Sequence, residues 1–203
     1  MNSNTGKEHR LTAKDLINIG IFVSIYLVTY AIVSIIVGLT AIGVLVCTSI
    51  ASLFTGTIYM LMAVKVRKRG VFFIAGMATA LLTLSSGNIF GIVGAVIAAI
   101  VSECIANRNH YGNISDLVLA FVATNVISFV SYMLPMYGAT QDYIATVMVR
   151  WNLSQEIIDT YVKYLNWRTF GITVVVSIVT ALIGAVIGIK ILNKHFRKAG
   201  LIK

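Results

Sequence analysis

The side chains in this sequence that could hold a small molecule are almost all neutral, and none is arranged to make or break a covalent bond. Ser86 and Asn88 belong to the polar turn "SSGN" between two apolar runs. Asn125, Ser128, Ser131 and Tyr132 recur at helical spacing in one apolar run, and Thr169, Thr173, Ser177 and Thr180 do so in another. Such groups offer hydrogen bonds from an apolar wall, which suits a small organic molecule better than a bare ion. Deep in a bilayer the same stripes have a plainer reading, as hydrogen bonds between helices worth ~0.6 kcal/mol per contact.

Residues that would carry harder chemistry are missing from these runs. None has an Asp, Glu, Lys, Arg or His in its middle, although proton relays, ion-coupled carriers and voltage sensors place such groups there at ~3 kcal/mol or more apiece. There is no G-x-x-x-x-G-K-[ST] phosphate loop and no G-x-S-x-G nucleophile turn. His9, His110 and His195 lie at polar ends, and Cys47 and Cys104 lack ligand spacing. The expectation is a protein that is not an enzyme, holds no cofactor or metal, and uses its cysteines for packing.

What positions the polar residues is a set of membrane helices. Hydrophobic residues make up 58% of the 203 and charged ones 11%, with a mean hydropathy of +0.90, the composition of an integral membrane protein. Apolar runs at 16–37, 41–64, 71–84, 89–102, 117–134 and 170–192 predict an all-α bundle of six transmembrane helices in one membrane domain, 1–203. Residues 71–102 as one helix would be about 48 Å long, against a hydrocarbon core of about 30 Å. The "SSGN" interruption therefore predicts two short helices. The first run is too long for a signal-peptide core and has no small-residue cleavage pattern, so it is expected to stay as a helix.

Thirteen of the sixteen Lys and Arg fall on one side of this arrangement: in the N-terminal segment 1–15, in "KVRKRG" at 65–70, at Arg108 and in the tail 193–203 with Lys190 just before it. Basic segments are retained on the cytoplasmic side, so both termini are predicted to be cytoplasmic in a cell-membrane protein. The net charge of +9 punctuates apolar runs and forms no aromatic-interleaved patch, which argues against nucleic acid as a partner.

The longest outer segment, 136–168, follows Pro135, which is expected to end the fifth helix. Within it Ser154 can cap a short helix, with Glu156 in its first turn and Ile157, Ile158, Tyr161 and Leu165 on one face. That helix is either a lid over an outward site or an interfacial anchor, since Trp151, Tyr161, Tyr164 and Trp167 suit the membrane interface. The outer ends then gather a candidate substrate site from Ser86, Asn88, Asn125, Tyr132, Met136, Tyr137, Arg168 and Thr169.

Small residues make three notches: Gly20 and Ser24 in the first run; Gly91, Ala95, Ala98 and Ala99 in the fourth; Ala181, Gly184, Ala185 and Gly188 in the sixth. Small residues four apart let helices approach closely, and packing inside the bundle is their default use.

The stretches "LTAKDLINIGIFVSIYLV", "KVRKRG" and "GNIFGIVGAVIAAIVSECI" together resemble the Trep_Strep/MptD-type family, substrate-binding S components of energy-coupling factor (ECF) transporters. The resemblance spans nearly the whole chain. It implies an S-component-like bundle that binds a micronutrient at its outer face, and it implies a separate energising module of one transmembrane coupling protein and two ATPases. In such families an Ala-x-x-x-Ala motif on the first helix packs against the coupling protein, and Gly20 and Ser24 stand at the matching positions. The aromatic and Met residues near the outer end fit a flat cargo, vitamin-like or haem- or siderophore-like. Two other readings stay open: a solitary carrier or facilitator of a neutral solute, and a membrane assembly factor that transports nothing.

Overall fold

The computed structural model describes residues 11–85, 88–138 and 154–195, and these form seven helices with no strand among them. They are α1 (Ala13–Val37), α2 (Ala41–Val66), α3 (Val71–Ser85), α4 (Ile89–Ala106), α5 (Ile114–Gly138), α6 (Gln155–Tyr164) and α7 (Trp167–His195). Five of them, α1, α2, α4, α5 and α7, are long and apolar enough to cross a membrane. The third predicted span, α3, is apolar but has 15 residues, about 22 Å of helix.

α2 is the central helix. It packs against α1, α5, α6 and α7 and touches α3, and most of its small residues are buried. Its seam with α7 follows a constant offset of 128 residues: Ser52 donates to Thr180 at 3.1 Å, Gly56 faces Gly184, and Gly188 faces Met60. An unchanging offset means that the two helices run parallel. A Cβ on Gly56 would lie 2.6 Å from the Gly184 carbonyl carbon, so the backbones themselves touch. Without a hydrophobic drive between helices in lipid, this close approach is what holds the seam. The fourth-run notch is filled likewise: Gly91 lies under the Tyr132 ring and Gly94 against Ser131, while Ala99 takes the space beside Gly76.

One end of the bundle carries the basic residues and is tied together by its acids. Thr12 and Asp15 form a reciprocal capping box at the start of α1, and Asp15 also accepts from Lys68 at 2.7 Å. Glu103, in the last turn of α4, accepts from the amides of Gly70 (2.7 Å) and Phe73 (3.3 Å) and from the Tyr111 hydroxyl. It thereby supplies the cap that the first turn of α3 lacks. Burial and the Glu103 carboxylate push the Tyr111 phenol well above the ordinary tyrosine value. The parallel α2–α7 seam places the end of α7 here too, so the described chain begins and finishes at the same end of the bundle.

Around Tyr59 an aromatic cluster fills the half of the bundle nearer this end, with Phe72, Phe121 and Tyr26 at 5.1, 5.2 and 5.7 Å between ring centres. The outside is a belt of exposed Ile, Val, Leu and Phe on α1, α3, α4 and α7, the surface a lipid bilayer covers.

Three sequence expectations need correction. Pro135 does not end the fifth helix, which continues to Gly138: the proline forfeits one backbone bond four residues back, and continuation past it buries Met136. α4 outlasts its apolar run by a turn because Glu103 is needed against α3. Cys104 is exposed rather than packed, on the outward stripe of Ile97 and Ile100.

Candidate functional site

The end of the bundle opposite the basic one, expected from its charge to face outward, is built on α6. Its sequence alternates on a helical period between polar residues and Ile157, Ile158, Tyr161 and Leu165, and these four do meet the bundle, packing with Ala41, Val44 and Leu45 of α2 and Met136 of α5. Ser154 occupies the cap position but its side chain makes no capping bond. Tyr161 is fully buried and its hydroxyl reaches the Met133 sulfur at 3.6 Å. Burial pushes its phenol above the usual value. α6 thus sits as a plug on the outer end of α2 and α5.

The predicted site residues divide into groups. Asn88 is buried and caps α4, accepting from the Gly91 amide at 3.0 Å and donating to the Tyr132 carbonyl at 3.1 Å. Asn88 is thereby pinned to α5. Met136 lies beneath α6. Tyr137 stacks against Phe170 at 4.9 Å and Trp167 at 6.4 Å. Thr169 bonds Asn166 at the start of α7, and Arg168 is exposed. Asn125 lies deeper and donates to the Phe121 carbonyl at 2.9 Å. Ser86, Arg150 and Trp151 lie outside the described residues.

Sequence reasoning missed Ser49. By the offset of 128 it stands opposite Ser177 in the α2–α7 seam, both are buried, and neither hydroxyl has a partner among the described residues. The Tyr137 hydroxyl is buried as well, with Thr173 as its neighbour. An unpaired buried polar group costs about 1–3 kcal/mol, and Ser34 and Tyr59 carry such hydroxyls among the described residues too. Ser49 begins a series with Ser52 and Thr55 at helical spacing, all three buried, and that spacing is the signal that could have found it. The buried polar residues among those described are Ser, Thr and Asn, with the hydroxyls of buried tyrosines, and all of them are neutral.

Lengths add a further feature. Measured from the common basic end, α2 rises about 39 Å and α3 about 22 Å, so the described part of α3 stops well short of the far ends of α2 and α5. Irregular backbone at that depth is tolerated where protein buries it or where it lines a cavity. A shallow apolar crevice lined by Phe22, Tyr26, Ile58 and Met62 lies nearer the basic end and is too narrow to hold a water molecule.

The small-residue notches end differently from one another. Those of α4 and α7 are filled by α3, α5 and α2. Gly20 is exposed, and a Cβ placed there meets nothing within 4 Å. Ser24 beside it is exposed and donates back to the Gly20 carbonyl at 2.9 Å. α1 buries only Ile19 and Val23, so the Gly20–Ser24 face points away from the bundle.

No curated protein and no solved structure matches the chain. The model of the Trep_Strep family, described as hypothetical bacterial integral membrane protein, matches residues 13–198, and the chain belongs to that family of multi-pass integral membrane proteins.

Proposed function

We propose that this protein is the substrate-binding S component of an ECF-type importer, taking up a micronutrient at its outer end for a separate energising module. The observation that carries this reading is the open notch at Gly20 and Ser24, the one small-residue pair of the three runs left unfilled by the bundle. A helix that spends small residues on an outward face is shaped for another helix, and the coupling protein is the partner that the reading supplies. The basic end faces the cytoplasm, following the retention of Lys and Arg there. The cargo enters beneath α6 and meets the Ser49, Ser177 and Tyr137 hydroxyls. Neutral groups at that depth favour an uncharged vitamin-like heterocycle over a haem- or siderophore-like carrier bearing several carboxylates.

The test is Gly20→Leu in cells that express the energising module. Thermal unfolding of the purified variant should be unchanged, because the added side chain enters open space, while co-purification with the coupling protein and uptake should both be lost. Mass spectrometry of small molecules retained by the purified protein identifies the cargo and should give the same species for wild type and variant. Uptake into liposomes by the protein alone, without ATPases, would instead establish a facilitator.

A further inference from the structure

The turn joining α2 to α3 presents two arginines in a fixed setting that nothing in the bundle uses. Of the residues in "KVRKRG", Val66 is buried in the core, Lys65 lies over the Phe22 ring at 5.4 Å, Lys68 pairs with Asp15 at 2.7 Å, and Gly70 donates its amide to Glu103. The turn is therefore clamped to α1 on one side and α4 on the other. Lys65, Arg67 and Arg69 are exposed, and of these three only the arginines have no side-chain contact among those established for the described residues.

Arg67 is also held at φ 46°, ψ 40°, as the left-handed cap of α2. That position favours glycine, and an L side chain adopts it rarely. A strained residue kept at such a place points to a use for its side chain.

The surroundings state what the use is. The described acids at this end are spent internally: Asp15 on Lys68 and Thr12, Glu103 on Gly70, Phe73 and Tyr111, Asp116 on Asn109. The exposed charge that remains among the described residues of this end, Lys14, Lys65, Arg67, Arg69, Arg108, Lys190 and Lys194, is positive. α2 has 26 residues, about 39 Å against a hydrocarbon core of about 30 Å, so its final cap emerges at the level of lipid headgroups. Guanidinium forks at that level match the oxygens of a phosphate.

We infer that Arg67 and Arg69 form a binding site for the phosphate of an anionic phospholipid headgroup, which fastens the α2–α3 turn to the membrane surface. The lipid occupies the site from the leaflet in which the basic end lies, and its acyl chains run along the exposed apolar faces of α1 and α3.

The experiment compares thermal unfolding of the protein in nanodiscs of phosphatidylcholine with that in nanodiscs containing phosphatidylglycerol, with native mass spectrometry counting retained lipid. Wild type should unfold at a higher temperature with phosphatidylglycerol and retain at least one such lipid. Arg67→Gln with Arg69→Gln should lose that rise and the retained lipid while unfolding normally in phosphatidylcholine. Arg67→Gly, which relieves the strained cap, should be more stable than wild type in phosphatidylcholine yet respond less to phosphatidylglycerol. Arg67→Lys with Arg69→Lys should keep a reduced response, because the charges remain without the forks. An unchanged lipid response in the double Gln variant overturns the assignment, as does an equal rise given by inorganic phosphate in phosphatidylcholine discs. So does a rise that appears only when an acidic partner protein is added.

Discussion

Two glycines of this chain illustrate how one residue type serves opposite purposes. Gly184 meets the backbone of α2 at Ser52 and Leu53, where no side chain can be accommodated, while Gly20 meets nothing. Gly184→Leu should therefore separate α2 from α7 and lower stability by more than ~3 kcal/mol, beyond the usual cost of overpacking because backbone must move. Gly20→Leu should change stability by less than ~0.5 kcal/mol. Unfolding of both variants in the same detergent checks the contrast, and equal losses would mean that α1 packs more tightly than its exposure implies. The spacing of both glycines is plain in the sequence; which of them is covered is not, because a notch looks the same until a neighbouring helix is placed beside it. Glu103 shows the same limit. It reads as the polar end of a run, and its task of capping α3 exists only once two segments 30 residues apart are folded together.

Elements differ in how firmly they are tied to the rest. α6 is held by a small apolar cluster that includes Ile158 and Tyr161, whereas the α2–α7 seam is continuous over three turns. Tyr161→Ala removes the largest side chain beneath α6 and should cost about 3–4 kcal/mol of local stability, by analogy with other aromatic truncations. Hydrogen exchange should then rise across Gln155–Tyr164 and leave α2 and α7 protected. A rise throughout the chain would show α6 to be part of the global core and rule it out as a lid. The helix and its buried face were legible because four apolar residues repeat on a 3.6 period among charged ones. The end of α5 was not, because a proline in a final turn weakens the helix without stopping it, and what carries α5 onward is Met136 packing against residues distant in sequence.

At the scale of the molecule, the contacts decide which segments share an end, and charge then decides which side of the membrane that end faces. Asp15–Lys68 and Gly70–Glu103 place the start of α1, the α2–α3 turn and the α4–α5 loop together, and α6 lies at the other end with the start of α2. Gathering the basic segments at one end predicts that this end is cytoplasmic. After replacement of Cys47 and Cys104 by serine, single cysteines at exposed positions can report the arrangement with a membrane-impermeant maleimide. Gln155→Cys should label in intact cells, and Arg108→Cys only after permeabilisation. Ile89→Cys, at the top of the short α3–α4 pair, should label from outside but severalfold more slowly than Gln155→Cys, because α3 is some 22 Å long and leaves that turn below the outer surface. Equal rates at the two positions would place the turn at the surface and remove the depth on which the proposed outer binding site depends. Labelling of Arg108→Cys in intact cells would reverse the orientation and put the outer hydroxyls on the cytoplasmic side, which no importer that captures its cargo outside can use.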